Sequence, residues 1–292
     1  MFRIPGWKKL TGQTPVSSPA AGGVEPDDDF QFDGFSTGRL PTPYVDVLSD
    51  DQLRELNALL RWNCFTVDAK GRRFGRRAWP GKRDVPQLVP DPRIAQLHER
   101  FDLTDKHVLE VGCFEGVHTL GLLRFAKQVT AVDSRIENVV KTMVRCGFFG
   151  RHATVFPCDL ERAADLDRLP HADVLHHCGV LYHLVDPVSH VLCLGRFART
   201  GLMLDTHIAP SGKANRSYTV GGREFRYRWS DEGGKGEVFS GMGDHAKWLL
   251  LDDLLMLVKE AGFADIDVAE HRQERNGDRV LLYAKRAAGG VR

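Results

Sequence analysis

From residue 107 onward, short apolar runs alternate with stretches whose apolar residues recur at helical spacing. HVLEVG, QVTAVD, ATVFPCD, ADVLHHCG, GLMLDTH, ADIDVAE and RVLLYAKR read as strands. VHTLGLLRFAK, RIENVVKTMVRCGF, DPVSHVLCLGRFA and LLLDDLLMLVKEAGF read as helices. Strands that alternate with helices predict an α/β fold with a largely parallel sheet, because each crossover helix must lie on a face of the sheet. Upstream, SDDQLRELNALLRW predicts a helix capped by Ser49 or Asp50, with Leu53, Leu56, Leu59 and Leu60 on one face. Residues 208–247 break the alternation. They hold RSYTVGGREFRYRW, two half-polar strands around a Gly-Gly turn, and then the glycine-rich DEGGKGEVFSGMGD. The expected organisation is a flexible arm over 1–42, a helical and basic-loop extension over 43–105, an α/β domain over 106–286 with 208–247 as an inserted β-hairpin lid, and a tail over 287–292.

Composition changes this picture little. The 292 residues carry a net charge of +1, with 42% hydrophobic and 27% charged residues. No global field therefore draws in nucleic acid or an anionic membrane. No apolar run is long enough to span a bilayer, and the N-terminus lacks a secretory pattern, so a cytoplasmic location is expected. Six cysteines are scattered without paired spacing, which predicts buried reduced thiols and no structural zinc. The loop at 70–83, KGRRFGRRAWPGKR, is the local exception: it has seven cationic side chains and no acidic one. With Phe74 and Trp79 available for stacking, it makes RNA a possible partner.

The strongest chemical signal is VLEVGCFEGVHTL, residues 108–120. A strand ends at Glu110, a loop carries Gly112 and Gly116, and a helix follows. In a doubly wound sheet the ligand sits where strand ends meet helix starts. The pattern is ExGxxxG rather than GxGxxG, which favours a ligand without a pyrophosphate and argues against a nicotinamide dehydrogenase. Phe114 stands where many such loops carry a third glycine. The next strand ends at Asp133, seventeen residues past Gly116, where a carboxylate can accept from both ribose hydroxyls. The third ends at Asp159 and Leu160, a pair suited to the amino group and face of adenine.

VLEVGCFEGVHTL, AVDSR, HCGVLYHLVDPVSHV and KWLLLDDLLMLVKEAGF together resemble class I S-adenosylmethionine-dependent methyltransferases. Within that group, GVLYHLVDP is similar to the bacterial tRNA wobble-uridine carboxymethyltransferase. The resemblance spans roughly residues 106–286 and implies a Rossmann-like seven-stranded sheet whose last strand is antiparallel. It implies S-adenosyl-L-methionine as cofactor, with Glu110, Gly112 and Gly116 at the methionine end, Asp133 on the ribose and Asp159 by the adenine. Cys113, Phe114, Ser134, Leu160 and Cys178, in the same strand-end turns, complete the expected cofactor set. Tyr182 matches a tyrosine that helps hold the carboxylated cofactor in the carboxymethyl enzyme. The lysine and arginine that accompany it there have no matching position; Lys70 stands in a different context.

Methyl transfer from a sulfonium is an in-line displacement, and a base is needed only when the acceptor keeps its proton at neutral pH. Residues 176–190 hold four of the twelve histidines, just past the fourth strand. His177 and His183 are the candidate bases, with Tyr182 orienting cofactor or substrate. Asp205 and His207 share one face of the fifth strand, as an acid/base pair or, with His177, as metal ligands. Two such residues fall short of a metal site, so no metal is expected. Arg223, Arg226, Tyr227 and Arg228 on the inserted hairpin are candidates to grip an anionic or sugar-like acceptor. These readings lead to methylation of a small or medium acceptor, such as a sugar or metabolite, on oxygen or nitrogen. The rivals are a tRNA-modifying enzyme and a cofactor-binding module without catalysis.

Overall fold

The structure, a computed structural model, describes residue 45 and residues 47–76 and 85–287. The expected arm at 1–42, Trp79 with the second half of the basic loop, and all but the first residue of the expected tail at 287–292 lie outside the described residues.

Helix α1 (Asp50–Leu59) begins at Ser49, whose hydroxyl accepts from the Gln52 amide while the Gln52 side chain accepts from the Ser49 amide. Leu53 is buried, but Leu59 is exposed and Asn57 takes an inward place. Six residues advance a helix by about 600°, so Leu59 points well away from Leu53. Asn57 instead bonds the Arg73 carbonyl and the Gly75 amide. Those belong to a short hairpin, β1 (Phe65–Val67) and β2 (Arg73–Gly75), that the apolar pattern does not predict. Helix α2 (Pro92–Phe101) follows, capped by Asp91 with proline in its first turn.

The α/β alternation then runs β3 (His107–Val111), α3 (Val117–Leu122), β4 (Gln128–Asp133), α4 (Ile136–Phe148), β5 (Thr154–Pro157), α5 (Ala163–Leu166), β6 (Ala172–Cys178), α6 (Pro187–Gly195) and β7 (Ala198–His207). The insertion supplies β8 (Arg216–Val220), β9 (Arg223–Asp231) and β10 (His245–Leu249). The chain closes with α7 (Leu251–Glu260), β11 (Phe263–Glu274) and β12 (Gly277–Arg286). The central sheet has seven strands in the order β11-β12-β7-β6-β3-β4-β5. Strands β3 to β7 pair in parallel, and β12 runs antiparallel to both neighbours. This is the sheet the sequence predicts. The insertion is larger than a hairpin: β10 joins it as a third strand, in the order β10-β9-β8.

Apolar layers cover both faces of the central sheet. One packs α6 and α7 on it through residues such as Val188, Leu254 and Leu257; the other seats α2 through Ile94, Leu97 and Phe101. A third cluster, with Trp62, Phe74 and Phe149, joins the β1–β2 hairpin to α4. Phe74 is thus a core residue and cannot stack on a base, contrary to the expectation from the basic loop. Arg72 is likewise engaged, with Asp68 and the Leu48 carbonyl.

Candidate functional site

The C-terminal ends of β3, β4 and β6 open into one hollow of about 620 Å³, a size that suits a small organic ligand. Glu110, Gly112, Cys113, Phe114, Asp133, Ser134, Leu160 and Cys178 of the expected cofactor set line it, as do Tyr182 and His183.

The loop after β3 owes its shape to two glycines. Gly112 has φ 72°, and a Cβ there would stand 2.2 Å from Val180 Cγ2. Gly116 has φ 78°, and its Cβ would meet the Thr142 Cα at 2.9 Å. Both positions therefore exclude a side chain. Gly116 itself does not reach the hollow; it caps α3 and lets α4 approach. Phe114 takes φ 51° and turns its ring to Phe239 of the insertion, centroids 5.5 Å apart.

Asp133 ends β4. Its Oδ2 accepts from the Phe114 amide at 3.0 Å, and its Oδ1 accepts from the Arg135 amide at 2.9 Å and Asn138 Nδ2 at 3.0 Å. A carboxylate offers about four acceptor positions, so about one remains, on Oδ2, for a ligand. That is fewer than the two expected for a ribose. Burial raises the Asp133 carboxyl above its ordinary range, against these three donors. Asp159 is not in the hollow: β5 ends at Pro157, and the Asp159 carboxylate turns back to accept from the Glu161 amide. Leu160 alone of that pair reaches the cavity.

At the inner end, Glu110 is 1% exposed and accepts from Thr119 Oγ1 at 2.5 Å. Burial, helped by the charge of Asp133, pushes its carboxyl up to about 7, although Thr119 and His118 oppose the rise. His118 lies between Asp91 and Arg93, with its Nε2 3.4 Å from the carboxylate and 3.2 Å from Arg93 Nη2. Burial opposes its charged form, but Cys178 and Asp91 outweigh it and raise His118 to about 10. Glu110, His118 and His176 bring one ligand-type atom each within 4.8 Å of one another. A guanidinium held against His118 repels a divalent ion, so the arrangement suits a zwitterionic ligand better than a metal.

Four expectations need correction. His177 faces α6, away from the hollow: its Nε2 meets His190 Nε2 at 2.9 Å, and burial with that neighbour holds it well below the ordinary histidine range. It is not a candidate base. Asp205 is fully buried, with one oxygen 3.1 Å from Arg93 and 2.9 Å from Arg272 and the other against Arg279. Those charges hold its carboxyl below the usual range despite burial, leaving no proton to exchange near neutrality. His207 stacks on Trp248 at 4.8 Å and abuts the Tyr182 ring, forming the wall behind Tyr182. Asp205, His207 and His177 therefore form neither an acid/base pair nor a metal site. On the insertion, Arg223 pairs with Glu260, Arg226 with Asp253, Arg228 covers Trp248 and Tyr227 is core; none lines the hollow. Lys70 is not among the lining residues either.

The cations that do line it are Arg93, Arg135, Arg272 and Arg279, none of which the motifs single out. Arg93 follows the Asp-Pro cap of α2, and Arg279 precedes the apolar run VLLYA of β12. His183 remains. Its Nδ1 lies 2.9 and 3.0 Å from the two oxygens of Glu232, just past β9. The roof is the segment 238–242, held by Arg135, whose guanidinium donates to the carbonyls of Gly234, Glu237 and Gly241.

No family model matches the chain, and no curated protein is similar to it in sequence. Solved structures are similar in fold. The N-terminal domain of EvdMO1 with SAH bound is 21% identical, over 82% of this chain and 95% of that one, with a TM-score of 0.67. The same domain with SAH and D-fucose gives a TM-score of 0.65. Magnesium protoporphyrin IX methyltransferase from Synechocystis PCC 6803, with SAH, is 18% identical over 69% of this chain and 83% of that one, with a TM-score of 0.51. With the strand order and the glycine loop after β3, these likenesses show that the chain has the class I methyltransferase fold.

Proposed function

We propose that the chain is an S-adenosylmethionine-dependent methyltransferase for a small acceptor. One observation carries the reading: the loop of Gly112 and Phe114, the Asp133 carboxylate and Leu160 border a single hollow at adjacent strand ends. Asp133 takes a ribose hydroxyl on its remaining acceptor position, and Leu160 packs on the adenine. At the inner end, cationic His118 suits the carboxylate of the methionine moiety, with Arg93 behind it committed to Asp91 and Asp205, and Glu110 suits its ammonium. The sulfonium methyl then faces Tyr182 and His183, beneath the roof of 238–242. The similar EvdMO1 domain was crystallised with SAH and with SAH plus D-fucose, which supports both the cofactor and a small, sugar-like acceptor. The enclosing roof also favours a small acceptor over a tRNA, as does the engagement of Phe74 and Arg72 within the fold.

Isothermal titration with S-adenosylmethionine and S-adenosylhomocysteine tests the reading, with NADH as the control ligand. Both adenosyl ligands should bind, and NADH should not; absence of adenosyl binding would end the proposal. Formation of S-adenosylhomocysteine with an acceptor separates an enzyme from a binding module. RNA retained on purification, and binding that falls steeply with salt, would point to the tRNA alternative.

A further inference from the structure

His183 is placed by the short helical turn Leu181–His183 after β6, and it lines the hollow next to Tyr182. Glu232 reaches it from the insertion. Glu232 Oε2 also accepts from Ser240 Oγ at 2.6 Å and from the Gly241 amide at 2.7 Å. Burial alone would raise this carboxyl, but His183, Ser240 and Gly241 hold it below the ordinary glutamate range. An ionised carboxylate only accepts, so His183 Nδ1 carries the hydrogen, and in the neutral ring the lone pair is the one on Nε2. Among the described residues nothing hydrogen-bonds Nε2. The approach is tight as well: a Cβ on Gly241 would stand 2.2 Å from the His183 carbonyl oxygen.

The geometry points to His183 and Glu232 as a base assembled from two parts of the chain, and hence to a hydroxyl as the acceptor. This rests on the methyltransferase reading and deepens it. An arylamine, or an alkylamine in its free-base form, attacks a methyl sulfonium with its own lone pair and gives up no proton at that step, and a carboxylic acid or acidic thiol is already ionised. An alcohol keeps its proton at neutral pH and needs one removed as it attacks. The hydroxyl proton passes to His183 Nε2, and the oxygen lone pair forms the new bond to the methyl carbon. The carbon–sulfur bond breaks, and its electron pair stays on sulfur, leaving a neutral thioether. The imidazolium so formed sits against Glu232, whose charge stabilises it and whose two oxygens fix the ring's orientation. Glu232 touches no reacting atom and acts as a positioning residue.

Other charged and titratable groups near His183 are few. Tyr182 adjoins it, with Arg279 over the Tyr182 ring and His207 behind. Lys247 and Glu161 bond the backbone of residues 184–186, and Arg135 holds the roof.

Two measurements on the full chain test the inference. Nitrogen-15 NMR of the histidines, with S-adenosylhomocysteine bound, should show His183 as the Nδ1–H tautomer, and Glu232→Ala, which removes both acceptors, should abolish that preference. An Nε2–H tautomer, or one indifferent to Glu232→Ala, overturns the proposal with no acceptor needed. Methyl transfer is then followed with D-fucose, methyl glycosides and phenols against the matching amino sugars and anilines. Hydroxyl members should be methylated, and His183→Ala should lower kcat by about 10²–10⁴-fold, the range of a general base. Glu232→Gln should lower kcat by about tenfold or more. Neither variant should change the Kd for S-adenosylmethionine. Methylation confined to the amines overturns the proposal; loss of cofactor binding by the unmodified protein strikes the parent reading instead.

Discussion

Glu110 and His118 show how much a single buried group can shift. Glu110 titrates at about 7 in the fold against an ordinary 4.5, so its contribution to stability is full below pH 4.5 and is lost as pH rises through 7. His118, raised from 6.5 to about 10, behaves the same way at higher pH: full below 6.5, lost through 10. The protein without ligand should therefore lose stability from both groups as pH rises from acid to alkaline. The Glu110 part amounts to about 3 kcal/mol. Thermal melts between pH 4.5 and 7 should show a flatter dependence for Glu110→Gln, and an unchanged slope would remove that group from the account. Asp133 allows a second residue-level test. Asp133→Ala should weaken S-adenosylmethionine by about 10- to 100-fold, the loss of one charged hydrogen bond worth about 1.5–3 kcal/mol. Titration calorimetry on a variant with unchanged circular dichroism decides it. Residue identity was readable where a motif fixed it, as for Glu110, Gly112 and Asp133. It was not readable for Glu232, because only tertiary contact brings it to a histidine 49 positions away.

Between elements, the β1–β2 hairpin is fastened to the α/β domain by an ionic contact as well as by the apolar cluster around Phe74. Glu115, at the foot of α3, is fully buried and bonds Lys141 of α4 at 2.8 Å together with the amides of Asn63 and Cys64. Arg145 beside it is also fully buried, bonding the Glu115 and Phe74 carbonyls and lying over the rings of Trp62 and Phe74. Removing Glu115 leaves Lys141 with the exposed Glu137 as its one carboxylate partner among the described residues, and takes from buried Arg145 the carboxylate beside it. Glu115→Ala should lower unfolding free energy by about 3–5 kcal/mol in urea titrations. A loss under about 1 kcal/mol would mean that the hairpin is held by apolar packing alone. The central strands were legible because they alternate with helices over long stretches. FTV and RFG, at three residues each, are too short to carry a period. KWLL was hidden for another reason: its apolar residues run straight into those of α7, so β10 and the helix read as one.

Over the whole molecule, the parallel sheet and its antiparallel closing strand were legible, and so was a single ligand hollow at the strand ends. The insertion was recognisable as an interruption, but its role was misassigned to the hairpin arginines. Arg223 and Arg226 are neutralised by Glu260 and Asp253 of α7, and Arg228 covers Trp248. The part that matters is the glycine-rich return, which sequence alone could describe only as loop.

Arg135 leaves the same turn as Asp133, the carboxylate proposed to take the ribose, and it clasps three carbonyls of that return. On that proposal, occupancy below and rigidity above would be one event. Steady-state kinetics should accordingly be ordered, with the nucleoside entering first and its demethylated form departing last. Product inhibition by S-adenosylhomocysteine should be competitive with S-adenosylmethionine and noncompetitive with the acceptor. In Arg135→Ala the obligatory sequence should relax toward random addition, with a higher KM for the acceptor and little change in affinity for the nucleoside.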